Sequence, residues 1–387
     1  MPCPAKPLNW DLFCRVVDNY GDAAVTWRLA RQLAGEHGGE VRLFIDQPEV
    51  LAALRPGLLG GTSGGAGRVE VLPMARAGDV SRPADVVVEA FGCGLPDAYM
   101  AALAARTPAP VWIVLEYLSA EGWVAQHHGL PSPHPSLGLP RWFYFPGFTR
   151  DTGGLLREQG LLQARDAHRA DADARTAFWS ARGFGPVPAG AHCVSLFGYE
   201  NAALPSLLGA WRDGPEPMVA AVPAGRIRAG VCAAMGMADP GEGAAVAVTQ
   251  GMLELRFMPF MAQDDYDRLL WSCDWNFVRG EDSLVRALWA GVPLAWQIYP
   301  QAERSHMPKL EAFLDGWLDG LGAAPAAAMR DFMRVWNGEG QQAGAAWRAL
   351  APWQDALAAH ARATAGRLAG QPELATGLAE FCVQRVK

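Results

Sequence analysis

Short apolar, β-branched runs recur along this chain, each ending in a polar turn and leading into a helical stretch, and this alternation constrains the fold most. Trp10–Val17 (WDLFCRVV), Val41–Ile45, Val69–Leu72, Val86–Val88 and Val111–Leu115 read as strands. Ala24, Val25, Leu29 and Leu33 recur at helical spacing after the first of them, closed by His37-Gly38-Gly39, and another helix fits around Pro96–Ala105. Strand–helix alternation of this kind builds a parallel, doubly wound sheet. The series restarts at His192–Phe197 (HCVSLF) and continues through Met218–Val222, Leu253–Phe257 and Pro293–Trp296. Between the two series, residues 155–182 are charged, Ala-rich and helical, then broken by GFGPVPAG, which has the composition of a boundary. The expected fold is α/β, with two Rossmann-like doubly wound domains facing each other across a cleft. Their expected extents are 1–184 and 185–371, with a last helix in 372–387 packing back on the first domain.

A chain of 387 residues suits two domains better than one, and at 50% hydrophobic it has ample core material. The net charge of −7 argues against nucleic acid or an acidic membrane as the main partner. Seven scattered cysteines with no CxxC pair fit reduced thiols, not a disulfide framework or a zinc site. MPCPAKPLNW has no apolar signal core and no run is long enough to span a bilayer, so a soluble, cytoplasmic protein is expected. Fifteen tryptophans is many for this length. Such rings floor sugar and nucleotide sites, but a buried core is their commoner use.

The richest stretch chemically is Phe277–Pro293, FVRGEDSLVRALWAGVP. Arg279 to Ser283 form a polar turn; Leu284, Val285, Leu288 and Trp289 then recur at helical spacing until Gly291 and Pro293 stop the helix. A glycine turn opening a helix aims unpaired N–H groups and the positive dipole end at one spot, which suits phosphate. An ordinary capped helix gives the same pattern, since Asp and Ser are favoured N-caps. In the first domain, the loop Asp18-Asn19-Tyr20-Gly21-Asp22 follows the first strand, at the sheet edge where open α/β folds bind ligands. Read structurally, Asp22 caps the helix and Asp18 forms the turn. Ala90-Phe91-Gly92-Cys93-Gly94 and Glu116-Tyr117-Leu118-Ser119 fall at the same edge, with Glu116 a secondary site candidate.

Other features promise less. The stretch GLLGGTSGGAGR fits neither nucleotide-loop template and reads as surface. His127, His128 and His134 lack the spacing and partners of a metal site. The aromatic run from Arg141 to Phe148 serves either as a rigid binding wall over the cleft or as packing.

Two Rossmann-like domains, carboxylates in the first and a phosphate-binding helix start in the second, suggest the GT-B architecture of nucleotide-sugar transferases. The segments WDLFCRVVDNYGD, VTWRLARQLA, SLFGYEN, MAQDDYDRLLWSCDWNFVRGEDSLVRALWAGVP and IYPQ make the likeness specific. In this order, through both domains, the chain resembles the bacterial elongation factor P arginine rhamnosyltransferases. The resemblance implies dTDP-β-L-rhamnose as donor and an arginine of folded elongation factor P as acceptor. It also implies inversion at the anomeric carbon, with no metal and no other cofactor. Asp18 and Asp22 fall on the family's essential first-domain carboxylates, and Glu281 on its second-domain glutamate. Phe197, Tyr199, Phe260, Gln263, Tyr266, Arg279, Asp282 and Ser283 fall on positions that hold thymidine diphosphate, and Tyr20 and Gly21 are counted with them. The chain departs from the pattern at Ala23-Ala24, where Ile-Gly is expected, and at Gln297, where His is expected. Ser305 stands where an acidic or small residue is expected.

The chemistry agrees with the resemblance. An arginine side chain, with a pKa above about 12, is a poor nucleophile unless carboxylates hold and polarise it. Two aspartates in one loop suit that task, while Arg279 and a helix start suit a leaving diphosphate. Two other readings fit the same residues. One is a GT-B transferase moving another nucleotide-activated sugar to a small molecule or lipid. The other is a nucleotide-binding regulatory protein whose acidic loop is only a cap.

Overall fold

Seven strands form the first sheet: β1 (Trp10–Cys14), β2 (Val41–Ile45), β3 (Val69–Pro73), β4 (Val86–Ala90), β5 (Val111–Leu115), β6 (Pro131–Pro133) and β7 (Pro140–Tyr144). This computed structural model describes residues 7–17, 20–55, 68–301 and 304–386; Asp18 and residues 57–67 of the glycine-rich stretch lie outside them. The strand order is β3-β2-β1-β4-β5-β7-β6. All pairs are parallel except β6 with β7. Because β1 is buried along its whole length, alternate residues serve opposite faces, as a doubly covered parallel strand requires. Leu12 joins Leu29 and Leu33 of the helix Gly21–His37 on one face. On the other face Phe13 stacks on Phe44 at 4.8 Å and meets Tyr99 edge-on at 4.6 Å.

One expectation about this unit is corrected and one alternative is resolved. The first strand stops at Cys14, not at Val17. Beyond it, side chains replace ladder partners: Val16 donates its N–H to Asp46 Oδ1 at 3.0 Å and Val17 donates to Asp22 Oδ2 at 2.8 Å. Of the two readings of the aromatic run after Arg141, packing holds for Trp142 and Tyr144 of β7. Trp142 and Tyr144 lie 5.7 and 5.5 Å from the ring of Phe381, on the helix Leu374–Val383. That helix packs on the helix Gly21–His37.

The second sheet comprises β8 (His192–Leu196), β9 (Met218–Pro223), β10 (Val246–Gln250), β11 (Leu253–Met258), β12 (Trp275–Arg279) and β13 (Leu294–Gln297). Its order is β10-β11-β9-β8-β12-β13, parallel except for the edge strand β10. Most of the large indoles are core: Trp179, Trp211, Trp275, Trp289 and Trp336 are at most 2% exposed.

The chain divides after Gln159 and again after Leu368, so the first unit takes back Ala369 onward and the second is Gly160–Leu368. The expected boundary at 184/185 is therefore too late. Helices Leu161–Ala170 and Ala172–Ser180 belong to the second unit. Arg165 Nη1 donates to the Trp289 carbonyl at 2.7 Å, and Phe178, Trp179 and Phe184 join the core around Val219 and Leu269. The stretch GFGPVPAG is not a linker, since its Phe184 is a core side chain.

No described helix is long and apolar enough to cross a membrane. The six described cysteines are free thiols.

Candidate functional site

In the second unit β12 ends at Arg279, and the chain turns through Gly280 and Glu281 into the helix Asp282–Ala290. Gly280 has φ of +60°, a left-handed conformation that glycine adopts without a Cβ clash. The turn closes on itself: Ser283 Oγ accepts the Arg279 N–H at 3.1 Å and donates to the Arg279 carbonyl. Trp296 Nε1 donates to the Gly280 carbonyl at 2.8 Å. The Ser283 hydroxyl thus shapes the turn. What the helix start offers an anion is its backbone N–H groups and dipole.

Arg279 is 8% exposed. Its guanidinium carbon lies 4.7 Å from the Phe197 ring centroid and 4.7 Å from that of Tyr199, and its Nη1 makes no hydrogen bond. A buried guanidinium with an unmatched donor is costly. An anion bonded there removes the cost.

The loop after β8 is held by a residue that the sequence marked only as a departure. Gln297, at the end of β13, accepts the Tyr199 N–H through Oε1 at 2.8 Å and donates through Nε2 to the Glu200 carbonyl at 3.3 Å. A Cβ on Gly198 would come within 2.7 Å of Gln297 Oε1, so the clamp needs glycine there. Its sequence signal was a buried-strand position, in LAWQ, occupied by an amide. Tyr199 is almost fully buried, with Tyr299 edge-on at 5.4 Å. Phe197 is half-buried and meets Tyr266 at 5.5 Å. Tyr266 and Gln263 both belong to the helix Gln263–Ser272, and Gln263 is its first residue. Burial, and secondarily the charge of Asp282, push the Tyr266 phenol well above its ordinary range. Phe260, in the preceding loop, is 38% exposed.

The Gln263 and Asp282 helices are joined by a buried ion pair, Arg286 Nε to Asp267 Oδ1 at 2.9 Å and Nη2 to Oδ2 at 2.6 Å. Glu281 Oε1 lies 3.3 Å from Lys309 Nζ, a lysine that the sequence pattern did not single out. Of the other departures, Ala23 and Ala24 are core residues, and Ser305 donates to Gln301 Oε1 at 3.1 Å.

In the first unit Asp22 stands in the first turn of the helix Gly21–His37, 3% exposed. It is not the cap, a position held by Tyr20, whose ring packs against the core. Its Oδ2 takes the Val17 N–H and so fixes the end of the loop; Asp18 lies outside the described residues. The same sheet edge carries Glu89 and Glu116. Burial, and then the charge of Glu89, raise the Glu116 carboxyl above its ordinary range. Phe91, in a left-handed conformation at φ +57°, stacks on Tyr117 at 4.5 Å. A polar groove of about 490 Å³ opens at the opposite, amino-terminal edge, but two of its arginines, Arg42 and Arg106, are already paired with Asp11 and Asp85. It sits away from the strand ends where such sheets bind ligands.

The three histidines go separate ways. His128 Nδ1 accepts the Phe145 N–H at 3.1 Å, His127 Nδ1 meets the Trp123 carbonyl at 2.8 Å, and His134 stacks on Trp112 at 5.1 Å. Among the described residues no group of three or more His, Cys, Asp or Glu is placed to hold a metal.

The family model described as Elongation-Factor P (EF-P) rhamnosyltransferase EarP matches residues 10–383. The chain belongs to the EarP family. A protein-arginine rhamnosyltransferase of Pseudomonas putida is 48% identical over 375 residues, 96% of this chain and 98% of that protein. Its counterpart in Pseudomonas aeruginosa is 45% identical over 96% of this chain and 98% of its own. Among solved structures, one described as the structural basis for EarP-mediated arginine glycosylation of translation elongation factor EF-P superposes with a TM-score of 0.71. That chain is 36% identical, with 97% of this chain and 99% of that one covered. Acinetobacter baumannii MurG, at 14% identity and a TM-score of 0.50 over 97% and 99% of the two chains, shares the fold alone. This EarP-family chain therefore has the GT-B type of fold, with one Rossmann-like sheet in each of its two units.

Proposed function

We propose that this chain transfers L-rhamnose from dTDP-β-L-rhamnose to an arginine side chain of translation elongation factor P, in the cytoplasm and without a metal or other cofactor. The observation that carries the donor half is Arg279, a buried guanidinium with an unmatched Nη1, gripped by Phe197 and Tyr199 at the start of a helix. The names of the relatives support an arginine of a protein as acceptor, and the family description and the EarP structure's description support elongation factor P.

In this reading the first unit holds the acceptor and the second the donor. Asp18 and Asp22 pair with the guanidinium of the target arginine and orient one nitrogen. That nitrogen attacks the anomeric carbon from the face opposite the diphosphate. As the carbon–nitrogen bond forms, the carbon–oxygen bond breaks, its electron pair leaves on dTDP, and the proton on nitrogen passes to Asp22. The configuration inverts. Arg279 and the first N–H groups of the Asp282 helix receive the developing phosphate charge, in the role that preorganised donors play in other transferases. Phe197 and Phe260 flank the thymine, Gln263 and Tyr266 line its far side, and Glu281 accepts hydroxyls of the sugar. Tyr199 acts at one remove, by holding Arg279.

Intact-mass analysis of folded elongation factor P, incubated with this protein and dTDP-rhamnose, tests the whole reading. A gain of one deoxyhexose on an arginine is expected. No gain with that donor, alongside turnover of another nucleotide sugar on a small molecule or lipid, would replace it.

A further inference from the structure

Lys309 stands in the first turn of the helix Met307–Trp317. A cation there opposes the positive end of the helix dipole, so helix formation does not explain it. Its Nζ lies 3.3 Å from Oε1 of Glu281. Glu281 occupies the N-cap position of the Asp282 helix, yet its side chain makes no capping hydrogen bond. Two opposite charges thus meet at two helix starts without capping either one. Their side chains are part-buried, at 26% and 18% exposure, and a lone single-contact ion pair of this kind adds little to stability.

We propose that Lys309 is a positioning residue for the donor: it fixes the Glu281 carboxylate and offsets its charge beside the diphosphate site. The inference rests on the reading of Glu281 as a donor contact. Glu281 is two residues from Arg279 and directly precedes the N–H groups of the Asp282 helix. An uncompensated carboxylate there repels a diphosphate, whereas one paired with an ammonium does not. A carboxylate offers about four acceptor positions, more than one ammonium uses.

The test compares Lys309→Met, Lys309→Arg, Glu281→Gln and the Lys309→Met/Glu281→Gln double variant in the full-length protein. Thymidine diphosphate binding is measured by calorimetry, and transfer by steady-state kinetics. Lys309→Met is expected to weaken thymidine diphosphate about tenfold and to raise the donor KM with little change in kcat, as for coupled charges. Lys309→Arg restores binding, and the double variant binds thymidine diphosphate better than Lys309→Met alone because the carboxylate charge is gone. A merely structural lysine would lower the melting temperature and would not give the KM-against-kcat split. If Glu281→Gln impairs transfer while Lys309→Met keeps normal thymidine diphosphate affinity and donor KM, the role of the lysine is refuted. If Glu281→Gln itself changes neither transfer nor donor KM, the donor role of Glu281 fails, and this inference falls with it.

Discussion

Gln297 accepts the backbone N–H of Tyr199 at 2.8 Å, tying the end of β13 to the loop that follows β8. Through its other atom the same amide holds the Glu200 carbonyl. One side chain therefore sets the path of the segment whose rings grip Arg279. Gln297→Ala strands the buried Tyr199 N–H, at a cost of about 1–3 kcal/mol. The expected result is a lower melting temperature and weaker dTDP binding, with kcat little changed at saturating donor. Gln297→His keeps an acceptor and is expected to retain most of the affinity. Unchanged dTDP affinity in the alanine variant would show that the loop holds its shape without the clamp.

Arg279 is expected to contribute most to the diphosphate. Arg279→Ala should weaken dTDP by about 1.5–3 kcal/mol, the range of a hydrogen bond to a charged group. Arg279→Lys should recover only part of this, because an ammonium lacks the planar face that Phe197 and Tyr199 enclose. Thymidine, which carries no phosphate, should bind both variants about as well as it binds the parent. Calorimetry with the two ligands separates these outcomes; equal losses for thymidine and dTDP would assign Arg279 to the base instead.

Much of this was legible in the sequence where the signal is local. β2 and β5 run over the expected residues because each is a short apolar run bounded by polar turns. The Gly280 turn and the Asp282 helix were likewise written in spacing. What escaped depends on partners remote in the chain. β7 has no alternating pattern and begins with a proline, so its place beside β5 is set by packing against Phe381. β10 is a half-exposed edge strand of five residues, paired among the described strands only to β11 and antiparallel to it. The boundary moved because Phe184, inside a proline- and glycine-rich stretch, is buried against Val219 and Leu269. In the site, residue types were legible but their division of labour was not. The Ser283 hydroxyl turns back onto Arg279, and Gln297 reaches a residue 98 positions away.

The Arg286–Asp267 pair is expected to govern stability. Both side chains are nearly buried, at 2% and 6% exposure, and the contact is bidentate. Arg286→Leu leaves a buried carboxylate without its partner guanidinium, a change that costs about 3–5 kcal/mol. Replacing both, with Asp267→Leu added, removes the stranded charge and should recover much of the loss. Thermal denaturation of the two variants checks this. A double variant no more stable than the single one would mean that the pair is held by hydrogen bonds to its surroundings more than by its own charge.

Asp22 separates catalysis from binding. Its carboxylate stands in the first turn of a helix, whose dipole favours the ionised form, and Oδ2 already accepts the Val17 N–H. Proton transfer to it is favoured when the target guanidinium is paired before reaction and loses its proton late, once carbon–nitrogen bonding has made it acidic. Asp22→Asn keeps the shape and an acceptor for Val17 while removing the charge. Rhamnose transfer to elongation factor P should fall by a factor on the order of 10²–10⁴, as for loss of a general base. Affinity for dTDP should stay close to that of the parent, since the residues proposed to hold its diphosphate belong to the other unit. Asp18→Asn is expected to be severe as well, through lost orientation of the acceptor. Near-normal turnover in Asp22→Asn, or dTDP binding lost in step with activity, would take this loop out of acceptor activation.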